Sequence, residues 1–400
     1  MSTHATFPRL ARLLAPVTPE DFSTRYWERE HLRVPRADRG AEGDAAPVTL
    51  AEVDAILTSR PHYHPNVALT DAVRQVAEDE YTDDTGVIDP IRAFKRFAAG
   101  GTFIINRIDE YAPRVRELCS SMEAELGIHV QANMYLTPPR AQGFPIHYDN
   151  HDVIIIQCEG AKRWRLYESP KPLPMRGERF ESAVTKPGPL THEFVMETGD
   201  ALYVPRGMMH DAVAEGDALS LHVTVGLHAV RWSEVLLEAI AAAAVDDIEL
   251  RKGMPFGALT GRVPEAQLAD TLKAHASRVL ANVRWERVRD RVATQYHYGH
   301  KESLGGLLLD TMTNFTPETV FLPREGAAPR LEAQDNAVVL TVQGRATRWP
   351  AHAKSTLEAA IGARRFTVAD LGDALDEKGR LTLVRRLVAE GAIRVLRGTP

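Results

Sequence analysis

An α+β chain built around a jelly roll or β-barrel is the fold class this sequence predicts, and three observations predict it. Short apolar or alternating runs follow one another between residues 102 and 227, separated by turn residues. Many short strands at that spacing are the pattern of a double-sheet or closed β architecture. The stretches on either side change to helical periodicity, with one helix (Tyr111 to Leu126) inside the strand-rich region.

Residues 8 to 60 read as mixed helix and loop, with Thr49 capping a helical Leu50 to Leu57. Residues 60 to 88 read as polar loops holding Pro and His. Asp89 to Ala99 is a short helix stopped by Gly100-Gly101. The strand runs are Thr102 to Asn106, His129 to Leu136, Val153 to Gln157, Trp164 to Tyr167, Glu193 to Val195, Ala201 to Val204 and Leu219 to Leu227. From Arg231 the pattern is helical again. Leu268, Leu272, Val279, Leu280 and Val283 form a stripe that must pack on the chain's own core or on a partner helix. The last eighty or so residues read as a small separate domain. A strand at Ala337 to Val342 precedes a helix near Ser355 to Gly362, the short segment Phe366 to Leu371, a helix ending at Glu390 and a strand Ala392 to Leu396. Helix, short helix, longer helix and strand is the order of a winged-helix unit.

Composition narrows the function classes. Four hundred residues, 44% hydrophobic and 26% charged, suffice for two or three domains with ordinary cores. A formal net charge of -6 argues against a chain built to coat nucleic acid or an anionic membrane. Two cysteines, Cys119 and Cys158, make neither a disulfide framework nor a zinc ribbon, and point to a reducing cytoplasm. The first eighteen residues lack the apolar core of a secretory signal, and the run Ala239 to Val245 is too short to span a bilayer.

Chemistry concentrates at His147-Tyr148-Asp149 and at His210, which follows the strand Ala201 to Val204 and the turn Pro205-Arg206-Gly207. On an extended strand, residues two apart project to one face about 7 Å apart, within reach of one ion. Two imidazoles and a carboxylate are the ligand set of a mononuclear non-haem Fe(II) site with positions open for substrate and oxygen. His151 reads as a loop neighbour of this site, His222 as a packed strand histidine, and His62 and His64 as solvent-exposed, but spacing excludes none of them as the third ligand. Lys162, in the hairpin Glu159 to Trp164, is either a solvated turn lysine or a cation facing the interior to neutralise a dicarboxylate. Arg163 points the other way.

These residues carry a resemblance. Asn133-Met-Tyr-Leu-Thr-Pro-Pro139, His147-Tyr-Asp-Asn-His-Asp152, Gln157-Cys-Glu-Gly-Ala-Lys-Arg-Trp-Arg-Leu-Tyr167, Gly199 to His210 and Ser220-Leu-His-Val-Thr224 together are similar to the JmjC-type ribosomal oxygenases. Phe22, Tyr26 and Trp27, and Asp89-Pro90 through Thr102, fit the same pattern. The likeness covers roughly residues 15 to 230. It implies a cupin-type double-stranded β-helix that uses Fe(II), 2-oxoglutarate and O2. It implies iron ligands at His147, Asp149 and His210, and Lys162 on the distal carboxylate of 2-oxoglutarate. It places Tyr135, Asn133 and Thr224 around the co-substrate. It also implies a division into a catalytic domain (1–230), a helical dimerisation region (231–315) and a winged-helix domain (316–400), with a homodimer as the assembly.

The function expected is hydroxylation of a protein or peptide side chain, first an arginine or histidine of a ribosomal protein. The loops 60–88 and 169–190 are expected to choose it. A tailoring hydroxylase of a biosynthetic peptide or amino-acid precursor is the second enzyme reading, and histone demethylation ranks lower. A DNA-binding regulator with a ligand-sensing cupin ranks last, since eight basic residues against five acids leave residues 363–400 at only +3.

Overall fold

The structure is a computed structural model that describes residues 7–38, 46–296, 304–324, 327, 329–342 and 345–397. The chain divides into two compact units, Met1–His228 with His300–Pro400, and Ala229–Gly299.

The first unit is organised by ten strands: β1 (Leu32–Val34), β2 (Val67–Thr70), β3 (Thr102–Ile105), β4 (His129–Thr137), β5 (Asp152–Glu159), β6 (Ala161–Tyr167), β7 (Leu190–Glu197), β8 (Ala201–Val204), β9 (Met209–Ala214) and β10 (Ser220–His228). Seven form one antiparallel sheet in the order β1-β8-β5-β10-β4-β3-β2, and three form a second, β7-β6-β9. The chain thus has the α+β, cupin-type antiparallel fold expected of it. Strand β2 lies inside the stretch read as polar loop. It pairs with β3 at the edge of the larger sheet.

Side-chain parity explains how the larger sheet is buried on both faces. Ile154, Ile156, Val223, Val225, Ala132 and Met134 join a core with Leu10, Leu13, Val53, Leu118 and Met122 from the helices Pro8–Leu14, Leu50–Ser59 and Pro113–Leu126. Val153, Ile155, Leu202 and Val204, one residue out of phase, meet Trp164, Leu166 and Met196 of the smaller sheet. That is why β5 reads as a near-continuous apolar run instead of an alternating one. Thr49 and Glu52 form the capping box that starts the second of these helices.

One correction concerns the loop before β2. His62 was expected in solvent, yet it is only 4% exposed and its Nε2 lies 2.6 Å from the Ile56 carbonyl oxygen. It closes the C-terminal end of the helix Leu50–Ser59. His64 is exposed as expected, with Nδ1 3.0 Å from the Tyr81 hydroxyl.

Residues 300–400 cluster with the barrel unit, but an apolar core of their own gathers Phe321, Leu340, Trp349, Leu357, Val384 and Leu387. Strands β12 (Arg330–Gln334), β13 (Ala337–Val342) and β14 (Arg345–Pro350) form a meander. Strand β11 (Val320–Pro323) pairs with β15 (Phe366–Thr367) and β16 (Ile393–Val395). The helices Lys354–Gly362 and Glu377–Ala389 fall where they were expected.

The second unit consists mainly of the helices Trp232–Asp246, Glu265–Ala281 and Trp285–Tyr296. Its core is small, made of Ala239, Ala242, Val279 and Val288. Of the stripe expected to be packed, Val279 is buried, whereas Leu272 and Leu280 are 70% and 64% exposed.

Candidate metal centre

The two ends of the triad are joined by backbone. His147 donates its N–H to the His210 carbonyl at 3.1 Å, and His210 donates to the His147 carbonyl at 2.8 Å. Gly207 donates to the Asp149 carbonyl at 2.9 Å, so the turn before β9 is stitched to the segment before β5. Gly207 has φ +85, and a Cβ there would lie 2.6 Å from the Lys171 carbonyl oxygen and 2.7 Å from Pro174. Only glycine fits where these three segments converge. His210 itself stands on β9, a strand of the smaller sheet that is not among the strand runs read from the sequence.

This stitching brings one ligand atom each of His147, Asp149 and His210 within 4.8 Å of one another. Asp149 Oδ2 is 3.8 Å from His210 Nε2, and the two imidazole centroids are 4.6 Å apart. The Nδ1 of His147 lies 2.9 Å from the Pro145 carbonyl, and the Nδ1 of His210 lies 3.0 Å from the Met208 carbonyl. Each imidazole therefore donates from Nδ1, which leaves Nε2 as the nitrogen available to a metal. Burial, then the neighbouring His147, pushes the His210 pKa down to about 4, so this ring is neutral at physiological pH. Burial opposes ionisation of Asp149, but His147, His151 and His210 together outweigh it and hold the carboxyl below its usual range. A carboxylate and two imidazole nitrogens, brought this close, fit a divalent transition metal.

The triad lines one side of a cavity of about 230 Å³ between the two sheets. Tyr135, Lys162, His222 and Thr224 line it too, with Trp164, Thr102, Phe144 and Asp211. Lys162 is 4% exposed; its Nζ donates to Thr137 Oγ1 at 3.1 Å and lies 3.5 Å from His222 Nδ1. No carboxylate among the described residues pairs with it, and burial alone pushes its pKa down to about 7. A solvated turn lysine is thereby ruled out. Tyr135 stays a phenol, because burial and then the Asp149 charge raise its pKa.

Asn133 is placed differently from the other expected residues. It is not part of the cavity lining; its Oδ1 accepts the Arg107 backbone N–H at 3.1 Å, and its side chain hydrogen-bonds Tyr135. It touches the site through Tyr135. The sequence reads His222 as a packed strand histidine and singles out neither Thr137 nor Trp164, yet strand parity marks all three. Each lies two residues from a singled-out position on the same strand: Thr224, Tyr135 and Lys162 respectively.

The loop 169–190 reaches the metal side of the cavity. Phe180 packs edge-on to Tyr148 at 5.4 Å and lies 6.5 Å from His147, while Tyr148 and Asn150 donate to the carbonyls of Arg179 and Arg176. On the other side, Thr70 and Ala72 donate to the carbonyls of Gly143 and Gln142.

A buried ion network holds the turn that delivers His210. Arg206 Nη1 donates to Asp152 Oδ2 at 2.8 Å and to Glu28, and Tyr203 donates to Asp152 Oδ1 at 2.8 Å. Removing one partner of a buried pair strands the other charge. Arg206→Ala is expected to destabilise the chain by about 3–5 kcal/mol in denaturant titration. It should also weaken metal binding, and a variant as stable as the parent would show that this network does not hold the turn.

Residues 105–235 match the family model of the JmjC domain. This stretch of the chain is similar to the JmjC domain. Its curated relatives include "Bifunctional lysine-specific demethylase and histidyl-hydroxylase NO66" of Drosophila grimshawi, 30% identical over 261 residues, which cover 62% of this chain and 35% of the relative. Ribosomal oxygenase 1 of Gallus gallus is 33% identical over 256 residues, covering 62% of this chain and 42% of the relative. The chain thus spans less than half the length of either. Among solved structures, the ribosomal oxygenase YcfD of Escherichia coli superposes with a TM-score of 0.53 at 16% identity, covering 95% of this chain and 98% of that one. Another structure of that protein holds cobalt and 2-oxoglutarate. The motif resemblance is borne out, and the JmjC match contains the metal triad, Lys162, Tyr135, Asn133 and Thr224.

Proposed function

We propose that this chain is an Fe(II)- and 2-oxoglutarate-dependent oxygenase that hydroxylates a protein side chain, an arginine or histidine of a ribosomal protein. One observation carries the reading. A pre-aimed His-Asp-His set and a buried lysine with no carboxylate partner among the described residues share one cavity. The names and titles of the relatives, with their histidyl-hydroxylase and ribosomal oxygenase activities, support the substrate class.

When bound, iron and 2-oxoglutarate supply the oxidising power, using O2 and releasing succinate and CO2 as one oxygen atom enters the substrate. The protein's part is placement. His147, Asp149 and His210 would hold the metal on one side and leave the cavity side free. Lys162 would neutralise the distal carboxylate in a site where water competes poorly. Tyr135 offers a hydroxyl that Asn133 steadies, and Thr224 a second one. Phe180 and the rest of loop 169–190, with loop 60–88 opposite, would form the walls that select the substrate.

The test is turnover of 2-oxoglutarate to succinate by iron-loaded protein with ribosomal-protein peptides. Mass spectrometry should find one added oxygen on Arg or His, and ribosomal proteins of a deletion strain should lack that mark. Demethylation of a methyl-lysine peptide with no oxygen retained on any ribosomal protein would overturn the substrate assignment.

A homodimer formed through the helical unit belongs to the same proposal. That unit exposes Trp232, Leu236, Leu237 and Ile240 at 76%, 51%, 63% and 49%, more apolar surface than its small core can cover. The double substitution Leu236→Asp with Leu237→Asp is expected to halve the mass seen by light scattering. An unchanged mass would remove this face from the interface. The order of helix, short helix, longer helix and strand over residues 354–395 supports a winged-helix domain. A cytoplasmic location is supported by two buried, unbridged cysteines. Among the described residues no helix is long and apolar enough to cross a membrane.

A further inference from the structure

His222 has no part in the metal set, yet it is 4% exposed and lines the same cavity. Strand register fixes its backbone abreast of Tyr135 on β4 and Gln157 on β5. Its ring is clamped as well. It stacks on Tyr135 at 4.9 Å with planes 9° apart and meets the Trp164 indole edge-on at 5.7 Å. Lys162 reaches it from the opposite sheet, its Nζ 3.5 Å from His222 Nδ1.

A lysine ammonium sits on a flexible four-carbon stem and has three N–H donors to place. Thr137 Oγ1 takes one at 3.1 Å, and Thr137 is in turn tied to Thr102 at 3.2 Å. His222 Nδ1, at 3.5 Å, is the second acceptor. Burial and then the Lys162 charge hold the imidazole neutral, and an ammonium, which can only donate, is met by the Nδ1 lone pair of the Nε2–H tautomer.

We propose that His222 is the positioning residue for Lys162: with Thr137 it fixes two ammonium N–H groups and leaves the third for the distal carboxylate of a 2-oxo dicarboxylic acid. The inference rests on the co-substrate reading above and deepens it. Selection for a second carboxylate then lies in a Lys-His-Thr set drawn from both sheets, separate from the metal ligands.

The test is calorimetric titration of Mn(II)-loaded protein with 2-oxoglutarate and with 2-oxopentanoate, which has the same chain length without the distal carboxylate. His222→Phe keeps an aromatic ring between Tyr135 and Trp164 but has no acceptor. It is expected to weaken 2-oxoglutarate binding about tenfold or more, the usual worth of a hydrogen bond to a charged group. Mn(II) and 2-oxopentanoate should bind as in the parent. His222→Asn, which restores an acceptor, should recover part of the loss, and Thr137→Val should reproduce it. Parent-like 2-oxoglutarate binding by His222→Phe, with Lys162→Ala unable to bind, overturns the role of His222 alone. Equal loss of both 2-oxo acids in His222→Phe also overturns it, as the mark of a merely packed ring. Parent-like binding by Lys162→Ala overturns the co-substrate reading and this inference with it. If His222→Phe does not fold, His222→Asn and Thr137→Val decide: an unchanged affinity in Thr137→Val, or an unimproved ratio between the two acids in His222→Asn, counts against it.

Discussion

Asp149→Ala is expected to lose the metal and, with it, turnover. Asp149 is the anionic member of the triad, and its carboxylate lies between imidazoles whose remaining nitrogens are committed to the Pro145 and Met208 carbonyls. Neither ring can turn to replace it without breaking its own hydrogen bond. Loss of partners that merely orient a metal ligand costs roughly 10–100-fold in affinity or activity. Losing the charged ligand itself should cost more than ~100-fold in both. Titration with Mn(II) and succinate formation with Fe(II) give the two numbers. The Asp149 side chain borders a cavity and carries no fold-wide network, so the melting temperature of the metal-free protein should stay near that of the parent. A variant that binds metal as tightly as the parent would remove Asp149 from the site.

Lys162→Met is expected to abolish 2-oxoglutarate-coupled turnover while metal binding persists and the unliganded protein becomes more stable. The stability gain follows from the same burial that makes the lysine useful. In the fold its pKa is down at about 7, against the usual 10.5, and burial is the cause. Between those two values the unfolded chain binds the extra proton, so the lysine's contribution to stability rises with pH across that window. Below about 7 the folded protein carries a buried ammonium with no carboxylate partner among the described residues, and its penalty is full there. Methionine removes that charge and keeps much of the stem. We expect the melting temperature at pH 7 to rise by at least ~2 °C, with the gap closing as pH increases toward 10. For the parent, 2-oxoglutarate affinity should fall as pH rises above about 7, with proton uptake on binding seen as a buffer-dependent calorimetric heat. Turnover by Lys162→Met at the parental rate would remove the lysine from the co-substrate site.

The two predictions separate parts of the site that were unequally legible. The histidines and the carboxylate could be picked out because their residue types are rare together and their spacing has a meaning on a strand. Lys162 was ambiguous, since a lysine in a Gly-containing hairpin is usually solvated. Its burial depends on Gly160, whose φ of +68 turns β5 into β6 and sends Lys162 inward between the sheets. His222 read as an ordinary strand histidine for the same reason, because nothing local reveals that a lysine from the opposite sheet will stop 3.5 Å away. His62 was misread because its partner is the end of a preceding helix, a relation that composition does not carry. Strand β2 lies in a Pro- and His-containing stretch that reads as loop, and its strand character comes from pairing with β3.

By itself the sequence determined the strand-rich core, the helices flanking it and, through parity, which side chains share a strand face. Val153 and Ile155 had to face opposite to Ile154 and Ile156, and Lys162 had to share a face with Trp164, because the period of a strand is two. Only the tertiary structure decided which faces meet. The bond pair between His147 and His210 closes a separation of more than sixty residues, and the facing of the two sheets puts Lys162 against His222 and Thr137. These are long-range pairings, set by the total burial of two sheets and not by any local preference. A periodicity can say that a residue points inward, but not what it will find there.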